Sequence, residues 1–192
     1  MTNEAHGAAT AVLRKEHDAI LQMLDATEIL AQRLSAGMAV EPERLTEMLE
    51  FFQIFADRCH HGKEEDLLFP LLERKGLLRA GGPVGVMLDE HEQGRALIRS
   101  MNESARGYRE REANAGRRYA DASRRYAALL RQHIEKENNI LFMLADRLLS
   151  PAEQEELAQA FERAEVEKIG AGTHERLHAL MQKFTASLLP CG

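Results

Sequence analysis

His60-His61-Gly62-Lys63-Glu64-Glu65-Asp66-Leu67-Leu68-Phe69 is the stretch on which the fold turns, because the chain repeats it. The second copy, His133-Ile134-Glu135-Lys136-Glu137-Asn138-Asn139-Ile140-Leu141-Phe142, keeps the ligand-type spacing and the terminal aromatic. Four residues at 3.6 per turn leave about 40° of rotation and about 6 Å along a helix axis, so His60/Glu64 and His133/Glu137 can each present imidazole and carboxylate to one point. Each copy also has a histidine ahead of it: 43 residues separate His17 from His60, and 42 separate His91 from His133. Two helix pairs related by an approximate two-fold follow from that duplication.

Punctuation carries the helical reading outward to the whole chain, which shows no sustained period-two alternation or β-branched enrichment. The first helix is expected from about 8 to 36, ending at Gly37, and the second from Pro42 to a stop between 70 and 74. Pro83 opens a third that runs to about 111. Residues 114–116 break the pattern before a fourth that reaches Leu149. Ser150 as N-cap, Pro151 at the first helical position and Glu153 at the third form a capping box that opens the fifth, and Gly170 and Gly172 end it. Thr173 is read as the cap of a short sixth helix, with Pro190 as its stop. The charged stretch 108–118 is a solvated helix end and turn. The fold class is all-α.

Each of the first four helices carries an apolar stripe at three- and four-residue spacing, the face a bundle buries. The first reads Leu13, His17, Ile20, Leu24, Thr27, Ala31, Leu34; the second Leu49, Phe52, Ala56, His60, Glu64, Leu67, Leu71. The third reads Val84, Met87, His91, Gly94, Ile98, Met101, Ala105; the fourth Tyr119, Ala122, Tyr126, Leu129, His133, Glu137, Ile140, Leu144, Leu148. Four histidines and two glutamates therefore interrupt the core-facing positions. A buried carboxylate without a partner costs several kcal/mol even after relaxation, and a bound cation would supply the partner.

The expected site holds two ions. Each takes two histidines, His17 with His60 and His91 with His133, and Glu64 and Glu137 bridge them. Two carboxylates neutralise two divalent or trivalent ions only in part, so an oxo, hydroxo or exogenous bridge is expected. Mixed imidazole and carboxylate ligands suit iron ahead of manganese or zinc. His60 and Glu64 are preferred over their neighbours because they share a stripe with Leu49 and align with His133 and Glu137. Either His61 or Glu65 could replace its neighbour as a ligand or add to the set; the preferred reading makes them supporting or surface residues. Glu16 and Glu90 either orient imidazoles or face solvent. Glu167, His174 and His178 offer a third ligand set or a cap over the site, against the simpler reading of an amphipathic tail. Cys59 is read as a small buried residue, and His6 as a terminal one without a role.

Composition narrows the partners. The chain has 192 residues, a formal charge of −6 and no long basic run, which argues against a nucleic-acid or anionic-membrane surface. No stretch approaches 18 consecutive apolar residues, and the N-terminus lacks a basic start followed by an apolar run. Two cysteines, Cys59 and Cys191, make no disulfide framework. Cytoplasm is the expected compartment.

The motifs Glu16-His17-Asp18, His60-His61 to Phe69-Pro70, Glu90-His91-Glu92 and His133 to Phe142 resemble those of the hemerythrin-like, or HHE cation-binding, family. The resemblance spans about residues 10 to 150. It implies an up-down four-helix bundle over 8–150 with a non-haem di-iron centre, followed by a helical extension over 151–189. It also implies reaction with dioxygen, nitric oxide or peroxide, or sensing of iron or oxygen. Oxygen-carrying hemerythrins have a second histidine four residues after the third-helix ligand, where this chain has Arg95. They have an aspartate five residues after the fourth-helix histidine, where this chain has Asn138. The four-His, two-Glu set looks more like the di-iron proteins linked to iron-sulfur repair and nitrosative stress. Function is thus expected among three classes: an enzyme consuming peroxide or nitric oxide, a sensor, or an iron donor.

Overall fold

The computed structural model describes residues 7–170 and 172–188, without the side chains of 174, 185, 187 and 188. His6, Pro190, Cys191 and the His174 side chain lie outside the described residues. Six helices follow one another: α1 (Ala8–Ser35), α2 (42–74), α3 (Pro83–Arg109), α4 (115–148), α5 (Pro151–Ile169) and α6 (Thr173–Leu188). No strand occurs among the described residues. Their ends have local causes. Gly37 and Asn114 take left-handed φ values of 71° and 61° at the end of α1 and the start of α4. The Ser150–Glu153 capping box forms at the start of α5. Thr173 differs from expectation: its hydroxyl donates to the Ile169 carbonyl at 2.6 Å, and the helix includes it rather than starting after it.

Two helices depart from uniform α geometry, and at corresponding places. In α2 the regular turns of Pro42–Phe51 widen to π-helix over Phe52–His61 and again over Glu64–Leu68 before Phe69–Arg74 resumes. In α4 the π turn is Glu137–Leu141, between Ala115–Lys136 and Phe142–Leu148. A π turn takes up one extra residue, so every later side chain moves one position around the helix. The core stripe after the ligands accordingly runs through Leu68 and Leu72 in place of Leu67 and Leu71, and through Leu141, Ala145 and Leu149 in place of Ile140, Leu144 and Leu148. Ile140 is 52% exposed. The stripes of α1 and α3, which have no such turn, are buried at all their expected positions.

α1 packs against α4, α4 against α3, α3 against α2, and α2 against α1, while α5 and α6 lie on α1 and α2. The apolar interior falls into two clusters. One contains Ile20, Met23, Phe52, Phe55, Met101 and Tyr126, and α6 joins it with Leu177, Met181 and Phe184. The other contains Leu13, Leu68, Phe69, Met87, Leu141 and Phe142, and α5 joins it with Leu157 and Phe161. Along each of α1 to α4 the histidines and glutamates fall between the two clusters, so the polar residues form a layer with hydrocarbon above and below. Gly7 ties the start of α1 to the turn between α4 and α5. Its N–H donates to Asp146 at 3.1 Å, the Ala9 N–H donates to Gln154 at 3.1 Å, and a Cβ at Gly7 would lie 2.2 Å from the Gln154 side chain. No described helix is long and apolar enough to cross a membrane.

Candidate metal centre

His17, His60, Glu64, His91, His133 and Glu137 converge in the polar layer, and each is at most 1% exposed. Their arrangement is paired. His17 Nε2 and His60 Nε2 face each other at 3.0 Å, and His91 Nε2 and His133 Nε2 at 3.1 Å. Glu64 spans the two pairs, with Oε1 3.7 Å from His60 Nε2 and Oε2 3.5 Å from His91 Nε2. Glu137 spans them from the other side, with Oε2 3.1 Å from His17 Nε2 and Oε1 3.2 Å from His133 Nε2.

The outer nitrogens settle which tautomer each neutral ring adopts. Glu16 accepts from His60 Nδ1 at 2.8 Å, Glu90 from His133 Nδ1 at 3.0 Å, Glu65 from His91 Nδ1 at 2.6 Å, and the Asn138 carbonyl from His17 Nδ1 at 3.0 Å. A ring that donates from Nδ1 carries a lone pair at Nε2. With both rings neutral, each close Nε2···Nε2 pair sets two lone pairs against each other, and all four oxygens of Glu64 and Glu137 are buried without a hydrogen-bond partner. Buried acceptors facing buried acceptors is an arrangement that only an electrophile between them relieves. The donor set thus fits cations: imidazole lone pairs and carboxylates, with no competing donor.

Protons take over part of that task when no cation is bound. Burial, reinforced by the Glu137 carboxylate, drives Glu64 well above the usual carboxylate range. Burial pushes Glu137 the same way, but the His133 imidazolium outweighs it and keeps Glu137 ionised. For His133 the loss of solvent is overcome by Glu137 and Glu90, which raise it to about 9. Burial lowers His60 to about 4 and lowers His91 as well.

The supporting shell repeats with the candidate residues. Lys63 donates to Glu16, and Lys136 to Glu90, so each half contains a Lys–Glu–His chain that ends on an imidazole. Glu16 and Glu90 orient imidazoles, though of the partner helix rather than of the histidine beside them in sequence. The sequence reading missed the two lysines. Their signal was a lysine three residues after the histidine in both copies of the motif. The repeat breaks in two places. Lys63 also donates to Glu165 of α5 at 2.7 Å and is 1% exposed, whereas the Lys136 side chain is 38% exposed. Glu65, held by Arg95 at 2.7 Å, stands where the other half has Asn138, which accepts from Arg14 at 3.3 Å.

The remaining candidates are distributed as follows. His61 is buried against His91, and Glu65 hydrogen-bonds His91. Glu167 is exposed on α5, and His178 sets its ring edge-on to Phe55 at 5.8 Å. Among the described residues neither joins a group of metal-ligand atoms. Cys59 approaches Glu16 and Glu165, but the Lys63 ammonium already fills that cluster. Burial raises the Cys59 thiol to about 12, the opposite of what a reactive thiolate needs.

A fold in which four helices bring two His/His pairs and two spanning glutamates into one buried layer defines a cation-binding helical domain. Residues 5–145 match the family model of the hemerythrin HHE cation binding domain, and the chain belongs to that family. No curated protein matches the chain.

Proposed function

We propose that this chain holds two iron ions in an up-down four-helix bundle formed by α1 to α4, with α5 and α6 as an extension packed on it, and that it binds or reacts with a small oxidant. His17 with His60, and His91 with His133, are the terminal ligands; Glu64 and Glu137 are the bridges. The observation that carries the reading is the convergence of imidazole lone pairs and unpartnered carboxylate oxygens at two adjacent points. Iron fits mixed nitrogen and oxygen ligands with positions left open, and when bound it supplies redox chemistry toward dioxygen, nitric oxide or peroxide. The protein's own groups do the rest. Glu16, Glu90, Glu65 and Asn138 fix the ring orientations, and the two apolar clusters exclude bulk water from the layer.

A cavity of about 230 Å³ lined by Gly94, Arg95, Tyr126, His61 and His91 has the volume to hold a diatomic molecule or peroxide. A role in oxidative or nitrosative stress accords with such a site. A second reading, an iron or oxygen sensor, is favoured by one contact. Glu165 of α5 shares Lys63 with Glu16, so any change at His60 has a direct route to the C-terminal helices.

Metal analysis of the purified protein, with absorption spectra before and after nitric oxide and peroxide, tests the proposal. Two irons per chain are expected, with new visible absorption on adding either molecule. Fewer than one metal per chain, or full metal content after joint Glu64→Ala and Glu137→Ala replacement, overturns it.

A further inference from the structure

One imidazole in the layer is left over by the six-residue set. His61 is 4% exposed, and its Nε2 has no hydrogen-bond partner. Its ring stacks on His91 with centroids 3.8 Å apart and planes at 16°, and stands edge-on to His133 at 5.6 Å. Its ligand-type atom lies with those of Glu64, His91 and His133 in one group, all within 4.8 Å of one another. The corresponding residue of the second motif copy is Ile134, so the His17/His60 half has no equivalent.

We infer that His61 is a fifth histidine ligand, donating from Nε2 to the ion shared with His91 and His133, so that the two ions have unequal ligand sets. The inference rests on the two-metal reading above. The alternative role for a buried histidine here, donating a hydrogen bond to a bound small molecule, conflicts with its partner. Asp57 accepts from His61 Nδ1 at 3.4 Å and is itself held by Arg95 Nε at 2.8 Å. An acceptor there favours the proton on Nδ1 and a lone pair on Nε2, the state that binds an electrophile rather than donating. Arg95 acquires a role from the same contacts. It stands one turn beyond His91 and positions both Asp57 behind His61 and Glu65 behind His91, supporting two imidazoles of one half with a single guanidinium.

Anaerobic titration with cobalt(II), followed by absorption and by metal content, tests this. The wild-type chain is expected to take up two ions in distinguishable steps. His61→Ala should weaken one step by more than the ~10–100-fold that follows loss of an outer-shell partner, change the spectrum of that ion alone and leave the other step intact. Asp57→Asn should stay within that ~10–100-fold range. In His61→Gly, free imidazole added at millimolar concentration should enter through the adjoining cavity and restore the wild-type spectrum, an outcome that a purely structural role does not give. His61→Gln, close in size and lacking the ring, serves as the comparison should the smaller variants melt early in the metal-free state. Two cobalt ions bound by His61→Gln with wild-type affinity and spectrum would overturn the assignment while leaving the six-ligand reading standing. A wild-type chain that takes up no cobalt would sink the two-metal reading itself.

Discussion

At the scale of single residues, the centre is a problem of buried charge that has two solutions, protons or cations. Without a cation, burial and the Glu137 charge favour the protonated form of Glu64, and His133 keeps its proton up to about 9 because Glu137 and Glu90 outweigh its burial. Both groups must lose those protons to become ligands. Cation binding should therefore release protons, read by calorimetry in buffers of different ionisation enthalpy. The sign follows from the direction of the shifts. Groups raised above their ordinary values hold protons against the cation at low pH, so affinity rises with pH until they are lost. Glu64→Gln should reduce the release, and an unchanged release would contradict the assignment. His60, lowered to about 4 by burial, is already neutral and adds nothing to the count.

At the scale of elements, the π turns decide which side chains meet the core. A helix read at 3.6 residues per turn buries Ile140; the wide turn at Glu137–Leu141 buries Leu141 instead. Leu141→Ala should cost about 2–5 kcal/mol in chemical denaturation, whereas Ile140→Gln should stay within about 0.5 kcal/mol. The reverse order would mean that the helix is regular. The same feature marks how far the sequence could be read. All six helices were legible from Gly, Pro and capping residues, and so were the His17, His60, His91 and His133 positions: His133 precedes the wide turn of its helix, His17 and His91 lie in helices without one, and His60 keeps its core position inside the widened stretch Phe52–His61. His61 was not. Regular spacing turns it away from the Leu49 stripe, and only the widening over Phe52–His61 brings two successive histidines indoors. Lys63, which the sequence did not single out, is buried for a reason that lies a hundred residues away, in Glu165.

At the scale of the whole molecule, the two halves of the repeat are supported unequally, because α5 covers one and leaves the other to solvent. Lys63→Met would strand the Glu16 carboxylate in the interior and should cost about 3–5 kcal/mol. Lys136→Met removes a partly solvated pair and should cost no more than about 1 kcal/mol. Equal losses in denaturant titration would mean that α5 does not seal the first half. The sealed amine has a consequence outside energetics. Amine-acylating reagents should modify Lys136 in the native protein and spare Lys63, so peptide mapping of the acyl groups would turn one lysine into a clock for how often α5 lifts away.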